Sequence, residues 1–332
     1  MPDGPLAGEP LQDSGETAAP GSDALLAGIQ RELLGAHFLL LARLLRRSAR
    51  ADYAGFEPQN LVERRLVLTL FRIEEARVSE LAGILGNDVA QISRALASLR
   101  AARLAWRERQ RDPYVLTPAG ERLGEQLDRV ALRREEDLGR GFQPHEMFEL
   151  AGLLSNLLTR ATAVLAEEIA HSREDERPDA GAVVGVPDIH SRLQPALLNL
   201  GTIIARTSTL TFKRLAGLSQ YEWRLLANIA SRPGISFMEV VGHLDSDKAQ
   251  VSRALDGMVT NGLLDRSGGK GRQAVRFTLR EEGHRRHAIM RDDAVRRNGL
   301  ILEYLKPGQR RRLRAYVGRL VENAAAMAER AA

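Results

Sequence analysis

Apolar residues recur at three- and four-residue spacing along most of this chain, and the whole pattern runs through twice. Leu26, Ile29, Leu33, His37, Leu40, Leu41 and Leu44 predict a helix over 23–48. Leu193, Leu197, Leu200, Ile203 and Ile204 predict its counterpart over 191–215. Each is followed by a helix over 59–71 or 219–230, then a short helix over 78–85 or 236–244. After a tight turn comes a helix over 88–102 or 247–261, with Asn87 and Ser246 suited to cap its free amides. The apolar runs then shorten to strand length, at 104–107 with 114–117 and at 263–266 with 274–279, around a polar turn. Gly120 and Gly283 open long helices to about 139 and 301. Final amphipathic helices run over 144–172 and 307–331.

The repetition extends to individual residues. GNDVAQISRALASLRAARLAWR (86–107) aligns without a gap with DSDKAQVSRALDGMVTNGLLDR (245–266). Asp88, Gln91, Ser93, Arg94, Ala95, Leu96 and Leu104 recur as Asp247, Gln250, Ser252, Arg253, Ala254, Leu255 and Leu263. We read a tandem duplication, with modules at 23–172 and 188–332. Residues 1–22 form a tail too poor in apolar residues to order itself, and 173–187 form a charged, Gly/Pro-containing linker. Helices joined to a two-stranded β-ribbon make a mainly α fold, a duplicated winged helix-turn-helix. The long first and last helices of each module are left over for association, which predicts an intrachain pseudo-dimer.

Charge distinguishes the two modules. Residues 187–332 carry 25 Lys and Arg against 14 Asp and Glu, whereas 1–186 carry 23 against 29. A net +11 beside a net −6 attracts a polyanion to the C-terminal half. The chain has no cysteine, which excludes thiolate metal sites and thiol redox switches. It has no apolar run near the ~20 residues of a membrane span and no secretory signal pattern, so a cytoplasmic location is expected.

The helices over 88–102 and 247–261 carry the strongest functional pattern. In the second, Val251, Leu255 and Met258 share the face that packs inward. Ala249, Ser252, Arg253 and Asp256 face away from it, flanked by Lys248 and Gln250. Small residues beside Lys, Gln and Arg at a helix N-terminus suit a DNA major groove, where Arg pairs with guanine and Gln with adenine. The first copy offers Val89, Ala90, Gln91, Ser93 and Arg94, an apolar residue replacing Lys248. The second hairpin, SGGKGRQAVRF, presents Lys270 and Arg272 at a glycine-rich tip, with Arg276 further down the strand. The first, RERQRDPY, is about four residues shorter and presents Arg109 and Arg111. Basic tips of this kind follow a phosphate backbone or enter the minor groove.

The order LSQYEWRLLANIA (218–230), SRAL, GLLDR, a basic hairpin and LREEG (279–283) resembles the MarR family of bacterial winged-helix regulators. The first copy, through NLVERRLVLTLF, SELAGILG, VAQISRAL and VLTPAG (115–120), matches less closely. The resemblance implies transcriptional regulation of double-stranded DNA, often repression relieved by a small phenolic or aromatic acid. That ligand commonly lies between the dimerisation helices and the winged helix. Family members are usually homodimers reading a palindrome; here two copies share one chain, as a monomeric pseudo-dimer or a further homodimer. Gly271 stands where the family usually has an Asp before its wing Arg.

Other chemistry is sparse. His284 and His287 lie three apart on a helix without acidic or cysteine partners, and read as a solvated face rather than a metal site. Trp106, Trp223, Tyr53 and Tyr221 suit either core or a ligand cleft. GGKG (268–271) lacks the flanking pattern of a P-loop. No catalytic set converges, so neither enzymatic activity nor a cofactor is expected. The rival to a regulator is an architectural DNA-binding or protein-interaction role with little sequence preference.

Overall fold

The computed structural model describes residues 26, 28–58, 60–172, 192–244, 247–268 and 275–330. The expected tail (1–22) and linker (173–187) lie outside them. A short 3-10 turn at Gly28–Arg31 leads into α1 (Leu34–Asp52). Thus the single helix expected over 23–48 is broken at Glu32 and Leu33. Then come α2 (Leu61–Ile73), β1 (Glu75–Ala76), α3 (Val78–Leu85), α4 (Val89–Ala101), β2 (Ala105–Trp106), β3 (Tyr114–Leu116), α5 (Pro118–Leu138) and α6 (Pro144–Ser172). The same order follows as α7 (Leu193–Ala216), α8 (Gln220–Ser231), β4 (Ile235–Ser236), α9 (Phe237–Leu244), α10 (Lys248–Thr260), β5 (Leu264–Ser267), β6 (Arg276–Leu279), α11 (Glu281–Leu302) and α12 (Pro307–Glu329).

The expected two-stranded ribbons are three-stranded antiparallel sheets, ordered β1-β3-β2 and β4-β6-β5. Each extra strand is two residues long and pairs across the hairpin's second strand, Ala76 opposite Tyr114 and Ser236 opposite Arg276. Two residues show no alternation, so periodicity gave no sign of them. The strand ties the end of the preceding helix to the hairpin and thereby fixes the hairpin's angle to α3 or α9.

Local chemistry sets the helix boundaries. Asn60 caps α2 by accepting from the Val62 amide at 2.8 Å. Ser219 and Glu222 form a reciprocal capping box at the start of α8. Helix α3 ends on Gly86 at φ 68°, a left-handed position that favours glycine. The long helices open earlier than expected, at Pro118 and Glu281, with Gly120 and Gly283 inside their first turns. These glycines are there for space. A Cβ on Gly120 would drive into the Leu104 carbonyl oxygen, and one on Gly283 into that of Leu263. Because the obstacle is backbone, Gly120→Ala or Gly283→Ala should each destabilise the chain by about 1–3 kcal/mol. Urea unfolding would show this as a lower midpoint with an unchanged slope.

Three cores result. One lies under α2–α5, with Leu66, Leu81, Ile92, Leu96 and Leu99 fully enclosed, and another under α8–α11, with Leu226, Val240, Val251 and Met258 enclosed. The third and largest joins α1, α6, α7 and α12 through Leu41, Leu45, Leu157, Leu197, Leu200, Leu320 and Val321. In it, α1 packs on α7 and α12, and α6 packs on α7. The opening helix of each set of elements therefore rests on the closing helix of the other. Arg214 and Glu168 bridge α7 and α6 with two parallel 2.8 Å hydrogen bonds, and Arg330 reaches Asp137 at 2.9 Å.

Candidate nucleic-acid interface

Helices α4 and α10 each enter directly from a tight turn and are held by an aspartate. Asp88 accepts from the Gln91 amide at 2.7 Å and Asp247 from the Gln250 amide at 3.1 Å. The expected caps were their neighbours. Asn87 instead donates to the Gln91 side chain at 2.8 Å, and Ser246 lies outside the described residues. An aspartate is the stronger cap at this site because its charge also complements the positive end of the helix dipole.

On α10, Val251, Leu255 and Met258 are enclosed, whereas Lys248, Ala249, Gln250, Arg253 and Asp256 are exposed and Ser252 is half-buried. Ser252 donates to Asp256 at 3.3 Å, and Arg266 from β5 reaches the same carboxylate at 3.2 Å. On α4, Ala90, Ser93 and Arg94 are exposed and Gln91 is half-buried beside Asn87. Both helices thus present the faces expected of them, and Arg253 and Arg94 occupy equivalent positions.

The hairpins differ. Between β2 and β3 the turn is closed tightly, with the Arg109 amide donating to Asp112 at 2.9 Å and the Arg107 guanidinium 4.7 Å over the Tyr114 ring. Arg109 and Arg111 remain exposed. Trp106, a candidate for core or cleft, is 48% exposed on this hairpin. In the second hairpin Lys270 and Arg272 lie outside the described residues. Arg276 is described, and its guanidinium donates to the Gly234 carbonyl at 3.0 Å with Glu239 3.9 Å away, so part of its donor capacity is already used.

Sequence reasoning missed how α3 and α9, the helices before α4 and α10, are held. The last carbonyls of α3 are taken by Asn199, donating to Ile84 at 2.6 Å, and Arg65, donating to Leu85 at 3.4 Å. The last carbonyl of α9, on Leu244, receives Arg43 at 3.2 Å and Arg224 at 3.1 Å. In each case one donor comes from the neighbouring helix, α2 or α8. The other comes from the opening helix of the opposite set, α7 or α1. Satisfying terminal carbonyls this way pins the turn that aims α4 or α10. Arg65 and Arg224 stand at matching positions of the two copies.

Two cavities sit beneath these grips. The first, about 80 Å³, lies among α1, α2, α5 and α7; the second, about 360 Å³, lies among α1, α7, α8 and α11. Tyr53 borders the first, and Tyr221 and Trp223 the second, so these three face a cleft as well as the core. Around the first, burial alone would raise the Asp128 carboxyl, but hydrogen bonds and charge from Arg72 and Arg192 bring it below its ordinary value. Burial, with Arg46 adding repulsion, lowers the Arg65 guanidinium to about 10.

Among the described residues no group of His, Cys, Asp and Glu is placed to hold a metal ion, and no helix is long and apolar enough to cross a membrane. The geometry defines the class: helix-turn-helix elements, each backed by a small antiparallel sheet. The model of the MarR family matches residues 216–273, from the end of α7 into the second hairpin. No curated protein matches the chain. Among solved structures, a MarR/EmrR family transcriptional regulator from Acinetobacter sp. ADP1 is similar at 22% identity, over 33% of this chain and 78% of that one, with a TM-score of 0.30.

Proposed function

We propose that this chain is a sequence-specific transcriptional regulator that places two winged helix-turn-helix modules, a tandem duplication, on one DNA site as an intrachain pseudo-dimer. The recurrence of one exposed face, small residues with Gln and Arg on an aspartate-capped helix, carries the reading. The MarR-family match to 216–273 supports it for the second module. The crossed packing of α1 on α12 and α6 on α7 supports pairing within the chain, since both partners of a dimer-like interface are covalently joined.

Lys248, Ala249, Gln250, Ser252 and Arg253 then read one half-site, with Ala90, Gln91, Ser93 and Arg94 on the other. Lys270, Arg272, Arg276, Arg109 and Arg111 follow the backbone. The cavities admit a small effector whose binding alters the aim of α4 or α10, and repression is the form of control this suits. Light scattering on the chain bound to a duplex tests the pairing. One chain per site is expected; two chains, each using one module, would contradict it.

A further inference from the structure

The two cavities occupy equivalent places yet differ in charge. The register that pairs Ser93 with Ser252 also pairs Leu34 with Leu193, the first residues of α1 and α7. By it, Arg46, Arg64 and Arg72 of the first cavity correspond to Ala205, Trp223 and Ser231, and Arg192 to Leu33. The first cavity is bordered by six arginines, Arg46, Arg64, Arg65, Arg72, Arg134 and Arg192. Three of these have carboxylate partners. Arg72 and Arg192 share Asp128 at 2.7 and 3.0 Å, and Arg134 is paired with Asp52.

The other three have no carboxylate at ion-pair distance among the described residues, although the charge of Glu57 favours the protonated form of Arg64. Arg46 donates to the Thr202 hydroxyl at 3.1 Å, Arg64 to the Tyr53 carbonyl at 3.1 Å and Arg65 to the Leu85 carbonyl. The bordering carboxylate, Glu135, accepts from the amides of Leu193 and Gln194 at the start of α7. At this cavity two buried donors have no hydrogen-bond partner among the described residues: Nε of Arg64, whose residue is 6% exposed, and Nε2 of Gln194, whose residue is 8% exposed. Arg65 is surrounded by protein yet keeps accessible area, because it borders the cavity. Buried guanidinium groups without counter-ions are costly, and a bound anion removes that cost.

The second cavity is wider and differently furnished. Phe212, Tyr221 and Trp223 form its walls; of its four arginines, Arg297 is bound to Asp293 at 2.6 Å, Arg43 and Arg224 both hold the Leu244 carbonyl, and Arg46 is shared with the first cavity. Among the described residues its buried atoms without partners are the Tyr221 hydroxyl and the Asn228 side-chain carbonyl, which suit a neutral polar group.

We infer that the first cavity alone is an oxyanion site, taking one doubly charged headgroup such as a phosphate monoester, on a small apolar body, per chain. Three unpaired guanidiniums call for more than one negative charge, and their planar forks match phosphate oxygens. The apolar body rests against Leu45, Leu61, Leu68 and Leu198. Regulation rests on the DNA-binding reading above. A headgroup that engages Arg65 competes with the Leu85 carbonyl, loosening the end of α3 next to Gly86 and therefore the aim of α4.

Titration calorimetry on the full chain with phenyl phosphate, benzoate and benzyl alcohol tests this. Phenyl phosphate should bind one per chain, with benzoate at least tenfold weaker and benzyl alcohol weaker still. Arg46→Gln and Arg65→Gln should each weaken phenyl phosphate at least tenfold, while Asn228→Ala in the other cavity leaves it unchanged. Circular dichroism would establish that each variant is folded; should Arg65→Gln fail to fold, Arg46→Gln, which borders both cavities, decides together with Asn228→Ala, which borders the second alone. Two phenyl phosphates per chain, benzoate binding as tightly, no binding of any probe, or a folded Arg46→Gln that binds normally would overturn the proposal. Loss of the site with DNA binding intact leaves the regulator reading standing. Phenyl phosphate bound without effect on DNA affinity upholds the site and removes only its regulatory role.

Discussion

Arg253→Ala is expected to weaken binding to a cognate duplex by roughly 10–100-fold and to relax preference at one base position, the cost of about 1–3 kcal/mol for a lost bidentate base contact. Arg94→Ala, at the equivalent place on α4, should cost clearly less. Both side chains are exposed on aspartate-capped helices, so their unequal effect comes from their surroundings. The C-terminal half carries net +11, and once the acidic tail and linker are set aside the first module is near neutral. Lys248 adds a charge at the N-terminus of α10, where α4 has Val89, 37% exposed. The first hairpin is shorter and folded onto its own Asp112 and Tyr114. Removal of any one phosphate contact should lower the salt slope by about 0.9. Equal losses from Arg253→Ala and Arg94→Ala, measured by fluorescence anisotropy across salt concentrations, would place the charge asymmetry away from the DNA.

Gly201→Leu should be the most damaging single change to the pairing of the two modules. Gly201 lies where α7 crosses α1, and a Cβ there would come 2.5 Å from the Ala42 side chain and 3.3 Å from the Phe38 carbonyl oxygen. Leucine adds three more carbons to a contact without room for the first, so α1 and α7 must separate. The cost is about 3 kcal/mol or more, at the upper end for overpacking. Because α1 and α7 also carry Arg43 and Asn199, the separation withdraws the grips on α9 and α3 together. Chemical denaturation should show lost stability, and DNA affinity should fall although no DNA-facing residue has changed. A folded Gly201→Leu variant with normal affinity would mean that the modules bind without being held at fixed spacing.

Legibility in the sequence followed the length scale of the cause. Helices α3, α4 and α10 were readable to within a residue because their apolar stripes and the repeated SRAL act locally. Capping was misplaced by one residue, since Asn87 and Asp88 are both good caps and only geometry chooses the charged one. The strands β1 and β4 were invisible at two residues each. Gly120 and Gly283 were noticed as helix openings, but their true constraint is a carbonyl contributed by Leu104 or Leu263. The grips and cavities were beyond reach, because Asn199 and Ile84, or Arg43 and Leu244, are distant in the chain and meet only when α7 and α1 cross. Five of the six arginines of the first cavity lie in the net-acidic part of the sequence, 1–186, where nothing marks them as a group; packing gathers them around one space.

One chain is expected to present two unequal recognition helices to one DNA site. Sequencing the fragments that the full chain retains from a random duplex pool tests it most directly. The expected outcome is an imperfect palindrome with half-site centres about one helical turn apart, ~34–36 Å, and the half-site read by α10 more strongly constrained than that read by α4. Fragments with no enriched sequence, or with a single isolated half-site, would contradict it.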